Sequence, residues 1–231
     1  MDLTSSANGN VHLSNAVALN IASSVDEVSV SYWQKATETP DTSSFWANPG
    51  RAMQAHNPWS NGNIYWDTAG CCDASTQRIN ADATDVVVWD EWNHFVFIKA
   101  GENKEIWVNG ELFLDGVNTN PLPSNIDTLW IGSGENGGNS LRGSMDDFIV
   151  FASALNEDQI IALYEGTSDL NPAKIDISKL DVDATADMVD VTSASNTVVP
   201  TSTNSPAGEQ AANAIDNDSS TKYLNFDGKN N

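Results

Sequence analysis

The segment HNPWSNGNIYWD, residues 56–67, gathers the side chains best suited to holding a sugar. Sugar rings present C–H faces that stack on aromatic planes, and their hydroxyls pair with amides, carboxylates and guanidiniums. Strand geometry sorts this segment: if Ile64 and Trp66 face a core, then Asn63, Tyr65 and Asp67 face outward together. His56, Trp59 and Arg78 flank the same region, and Trp33 and Trp107 lie opposite the core-facing residues of their own strands. Any one such aromatic is more often packing than platform. Jointly these eight side chains form the expected ligand site, bounded by the loop that carries Cys71 and Cys72.

Those two cysteines are the only ones in the chain. A zinc site needs about four ligands, usually from two separated pairs, so they do not constitute one. Adjacent Cα atoms stand about 3.8 Å apart, below the usual disulfide range of about 4.4 to 6.8 Å. A strained vicinal disulfide and two reduced thiols at a loop are both open readings.

Catalytic chemistry finds no support in the residue pattern. Retaining glycoside hydrolysis needs two carboxyl groups about 5 to 5.5 Å apart, typically from an E-x-D-x-x-E strand, and that pattern does not occur. G-x-S-x-G and H-E-x-x-H are missing too, and three scattered histidines compose no triad or metal motif. A binding protein rather than an enzyme is expected.

Composition narrows the partners. Thirty-two acidic against ten basic residues give a net charge of −22, which repels nucleic acid and anionic membranes. No apolar run reaches the 18 residues of a membrane span, and MDLTSSANGN lacks the charged and apolar regions of a signal peptide. Because a strand-like segment follows Met1 so closely, the chain reads as part of a longer protein with neighbouring domains.

The elements that must position the site read as strands. EVSVSYWQK alternates with Val28, Val30 and Tyr32 on one face. HFVFIK places Phe95 and Phe97 together, and Asn109-Gly110 supplies the dipeptide of a type I′ turn, so 105–115 is a hairpin. Further strands are expected at 128–132 and 143–151. One helix stands out, NEDQIIALYEG, with Asn156 as cap, Gln159 completing a capping box and Gly166 closing the end. It should pack through Ile160, Leu163 and Tyr164. The expectation is all-β: a two-sheet antiparallel jelly-roll sandwich with one short C-terminal helix, followed by a partial second β module.

The order SVSYWQK, AHNPWSNGNIYWDTAG, EWNHFVFIKAG, EIWVNGELFLDG, LWIGSG and GSMDDFIVFASALNEDQIIALYEG resembles laminin G-like domains of the concanavalin A-like superfamily over about 2–166. The run ANAIDNDSSTKYLNF, within 191–231, is similar to the opening of a discoidin-type, galactose-binding-like domain. These resemblances divide the chain into a sandwich at 1–168, a linker or first strand at 169–190, and the truncated start of a discoidin-like module at 191–231. They imply binding of a glycan or polysaccharide, or of a protein partner, in a secreted or cell-surface setting.

They also imply calcium. Asp216, Asp218 and Thr221 match the discoidin loop that commonly holds the ion, and Asp146 and Asp147 fall where related sandwiches hold a structural one. Calcium takes six to eight oxygens, which carboxylates and carbonyls can supply. Of the adjacent pair, Asp146 is the better candidate; neighbouring strand residues point to opposite faces, so the two carboxylates are not expected to serve one ion together. An ordinary polar turn and two solvated strand-edge acids are the competing readings of the two sites. The functional expectation is a non-catalytic carbohydrate-binding or adhesion module; a structural spacer or protein-interaction module is the alternative.

Overall fold

The computed structural model describes residues 10–167 and the strand Val198–Pro200. Two antiparallel sheets face each other. The first contains β1 (Val11–Leu13), β3 (Ser43–Asn48), β4 (Met53–His56), β5 (Asn63–Thr68), β6 (Arg78–Asp82), β10 (Thr128–Ile131) and β12 (Val198–Pro200), in the order β12-β1-β10-β3-β4-β5-β6. The second contains β2 (Glu27–Ala36), β7 (Asn93–Ala100), β8 (Asn103–Val108), β9 (Glu111–Val117) and β11 (Gly143–Phe151), in the order β11-β2-β7-β8-β9. This is the expected jelly-roll-like sandwich. The expected linker and discoidin-like start, with Asp216, Asp218 and Thr221, lie outside the described residues apart from the short pairing of β12 with β1.

Register explains how each sheet divides its faces. Across the first sheet, Val11, Ile131, Phe45, Ala55, Trp66 and Ile79 pair strand to strand, and all six are core residues. Val28, Val30, Tyr32, Phe95, Phe97 and Ile106 answer them from the second sheet. Tyr32 and Phe45 meet edge to face with ring centroids 6.1 Å apart, and Phe45 and Trp66 do so at 5.8 Å, a geometry that suits aromatic quadrupoles.

The hairpin turns at Asn109 and Gly110 with φ of 51° and 81°, as a type I′ turn requires. Helix α2 (Glu157–Tyr164) carries the expected capping box: Gln159 N donates to Asn156 Oδ1 at 3.0 Å, and Asn156 N donates to Gln159 Oε1 at 2.9 Å. A second short helix, α1 (Asn20–Val25), was not anticipated, because six residues carry too little periodicity to announce one.

Below the first sheet, two lysines stand in register, Lys99 opposite Lys104, both without exposed surface. Lys99 pairs with Asp26 at 3.1 Å. Lys104 Nζ donates to the carbonyls of Trp66 (2.8 Å) and Gln77 (3.0 Å), tying β5 to the end of the 69–77 loop. Trp66 Nε1 in turn donates to Ile98 O on the second sheet at 2.9 Å. Burial lowers the Lys104 amine to about 6, so at neutral pH it donates as a neutral amine.

The unfolded chain binds a proton at Lys104 up to about pH 10.4, whereas the folded chain releases it above about 6. Stability therefore rises with pH inside that window. Urea unfolding at pH 7 and pH 9 should show a gain on the order of 2 kcal/mol in the native chain, and Lys104→Met should abolish the gain.

Candidate functional site

The outward residues of the first sheet form a second cross-strand row. His12, Trp130, Trp46, Gln54, Asp67 and Arg78 are successive register partners from β1 to β6. With strands about 4.8 Å apart, the row runs for about 24 Å. His56 and Tyr65 begin a parallel row beside it.

Asp67 has no exposed surface, yet it carries a carboxylate. Arg78 meets it with a planar fork, Nε to Oδ1 and Nη2 to Oδ2, both at 2.6 Å, and Gln54 Nε2 donates to the same Oδ2. The side-chain hydrogen bonds that Arg78 donates to Asp67 raise the Arg78 pKa above its ordinary value. The guanidinium lies 4.6 Å from the centroid of the Tyr65 ring, stacked as a cation on its face.

His56 is held between these groups. Gln54 Nε2 lies 3.3 Å from its Nε2, and Ser43 Oγ lies 3.0 Å from its Nδ1. Burial lowers its pKa to about 4; Asp67 opposes the shift, while Arg78 and Arg51 reinforce it. The imidazole is therefore neutral at physiological pH, and it packs on Trp59 with centroids 4.4 Å apart.

His56, Trp59, Tyr65 and Arg78 line an open cleft of about 300 Å³, with Trp46, Arg51, Cys72 and Asn139 completing its wall. A larger cleft of about 700 Å³ adjoins it and shares Trp46, Arg51 and Asn139; Trp130, Asp127 and Glu135 also line it. Asn48 Nδ2 donates to Glu135 Oε1 at 2.9 Å across that second cleft.

Cys71 and Cys72 form the vicinal disulfide, with Cα atoms 3.7 Å apart. Their loop is fixed from both sides. Gly70 N donates to Arg51 O (3.0 Å) and Ala69 N to Ala52 O (2.9 Å), while Asp73 Oδ1 accepts from Ser75 N, Ser75 Oγ and Thr76 N. Cys72 thereby becomes an exposed part of the cleft wall.

Of the eight expected ligand residues, the structure brings His56, Trp59, Tyr65 and Arg78 to the cleft lining and places Asp67 directly beneath. Asn63 lies on β5 in phase with Tyr65 but off the lining, where its carbonyl accepts from Trp59 N at 2.9 Å. Trp33 and Trp107 belong elsewhere. Both sit on the second sheet, whose outer face α2 covers: Trp33 stacks on Tyr164 at 5.7 Å, and Trp107 is buried with Val96, Ile98, Phe151, Leu155 and Ile160 in a separate apolar cluster. They face away from the main core, as expected, but toward a helix rather than a ligand. Trp92 stands 45 % exposed on the loop before β7.

Trp46, Arg51, Gln54 and Asn139 were missed. Trp46 could have been found by continuing the alternation from Phe45. Arg51 and Asn139 adopt φ of 60° and 49°, and such backbone leaves no periodic trace in sequence.

Asp146 and Asp147 lie within β11, at an irregularity where the pairing with β2 shifts between Asp146 and Ile149. Asp147 adopts φ 48°, and its backbone N–H donates to Asp146 Oδ1 at 3.1 Å. Among the described residues, no three acidic, histidine or cysteine side chains converge to hold a metal.

Comparison with known proteins agrees with this architecture. A laminin G-type family model described as the Concanavalin A-like lectin/glucanases superfamily matches residues 5–161, and the chain belongs to that family. Among solved structures, a native heptameric SAP-like pentraxin from Limulus polyphemus aligns with a TM-score of 0.55 at 14 % identity, over 84 % of this chain and 85 % of that one. The binding domain of botulinum neurotoxin DC, solved in complex with rat synaptotagmin II, aligns at 17 % identity and TM-score 0.49 over 64 % of this chain. The aligned part is 38 % of that toxin chain. The pentraxin likeness speaks to the fold alone. Curated proteins return no match.

Two measurements check the site's construction. Arg78→Leu strands Asp67 as an uncompensated buried charge and should lower unfolding free energy by about 3 kcal/mol. Thiol titration of the unfolded, unreduced chain should find none, and two after reduction.

Proposed function

We propose that this chain is a non-catalytic carbohydrate-binding module of a larger extracellular protein, holding its ligand on the outer face of the β3–β6 sheet. The carrying observation is the contrast between the two outer faces. Helix α2 covers the second sheet, whereas on the first the Trp59 and Tyr65 rings stay part-exposed at the cleft, with Trp46 buried in its wall beneath the Arg51 guanidinium. Half-buried aromatics with amide and guanidinium neighbours suit the alternating apolar and hydroxylated surface of a sugar. A non-catalytic role agrees with how the nearby carboxylates are engaged: Asp67 by Arg78 and Gln54, Glu135 by Asn48. A disulfide at the cleft wall suits an oxidising, extracellular compartment.

A protein-interaction role is the second reading, favoured by Val86, Val88 and Trp92, all exposed on the loop before β7. A glycan array separates the two. Binding that Trp59→Ala and Tyr65→Ala each weaken at least tenfold, and that Trp92→Ala leaves unchanged, supports the sugar reading; no binding to any glycan would sink it. Run with calcium and with chelator, the array also tests the metal: a calcium dependence removed by Asp146→Asn would place the ion there. Reducing-sugar release from the bound polysaccharides by the pure chain would overturn the non-catalytic assignment.

A further inference from the structure

The smaller cleft opposes the charge of the chain around it. The whole chain carries −22, yet none of the residues lining this cleft is acidic and two are arginines. The described residues contain six basic side chains: Lys35, Arg51, Arg78, Lys99, Lys104 and Arg142. Lys99 and Lys104 are buried within the sandwich, Arg142 pairs with Glu38, and Lys35 lies on β2 of the other sheet. Arg51 and Arg78 share the cleft.

Their roles differ. Arg78 commits Nε and Nη2 to Asp67, so its charge is largely spent and its Nη1 group faces away from the carboxylate. Among the described residues, Arg51 makes no ion pair. Its guanidinium lies 4.7 Å over the Trp46 ring, at the seam between the two clefts. The residue is held at φ 60°, a conformation costly for a side chain with a Cβ, by a short hairpin whose Arg51 carbonyl accepts from Gly70 of the disulfide loop. The fold keeps an unpaired guanidinium, backed by a tryptophan face, where glycine would be the relaxed residue.

We infer that the cleft selects an acidic sugar, one bearing a carboxylate or a sulfate, with Arg51 as the group that receives the anion. This rests on the sugar-binding reading above. The uncharged ring would lie against Trp59 and Tyr65, with the substituent directed at Arg51 and the Nη1 edge of Arg78. Planar guanidinium donors match both carboxylate and sulfate oxygens, so the geometry names the charge and leaves its source to the test.

The test uses matched polymers in affinity electrophoresis at about 0.15 M salt, where the long-range repulsion from the acidic surface is screened beyond about 8 Å. One arm compares polygalacturonate with fully methyl-esterified pectin, the other κ-carrageenan with its desulfated form. The expected result is at least tenfold tighter binding to the charged member of one pair, the carboxylate or the sulfate source. Arg51→Gly, whose backbone accepts φ 60° without strain, should erase that preference while circular dichroism shows an unchanged fold. Equal binding to both members of each pair, lost on Trp59→Ala but indifferent to Arg51→Gly, would overturn the acidic-sugar inference and leave the sugar-binding reading standing. No binding to any of the four polymers or to a glycan array would overturn both.

Discussion

An ionised carboxylate with no exposed surface is tolerable only if its partner is close, planar and fixed, and the Asp67–Arg78 fork meets those terms. Much of the site follows from it. The fork holds β6 against β5 on the outer face while Trp66, one residue away, fills the core on the inner face. It also lays the Arg78 plane under Tyr65 and fixes the far end of Gln54, which in turn orients His56. The aromatic wall of the cleft is therefore arranged by a charge pair that itself has little charge left to offer a ligand.

The two sheets have spent their outer faces differently. The second sheet bears apolar residues on both sides and needs α2 to cover the outer one, giving a second small core around Trp107 and Ile160. The first alternates strictly, with its inner row wholly apolar and its outer row mixed aromatic and polar. An outer row of that composition does without a covering helix, because its Asp67 and Arg78 charges are already paired within the row. Binding capacity sits on the sheet that did not need a lid.

That difference also decides what the sequence could convey. Alternation in EVSVSYWQK and HFVFIK, the Asn109-Gly110 turn and the Asn156 capping box are local signals, and local hydrogen bonding and steric rules realise them in the fold. Alternation likewise separates Tyr65 from Trp66. It cannot distinguish an outward residue that meets water from one that meets a helix more than fifty positions along, which is why Trp33 and Trp107 look like Tyr65 in sequence and are not. Arg51 and Asn139 reach the cleft from turns with positive φ, where no side-chain period exists to follow.

The disulfide between Cys71 and Cys72 closes the smallest ring that two cysteines in a chain can make. Ordinary cross-links stabilise proteins by denying the unfolded chain the freedom of a long loop, and that benefit shrinks with the length enclosed. Here nothing is enclosed, so the bond contributes almost nothing of that kind to the fold. What it changes is the surface itself: two thiols that could ionise, donate hydrogen bonds or react become one compact, apolar, rigid facet on the rim of a cleft. In this protein the cross-link acts as a side chain of unusual shape rather than as a tether.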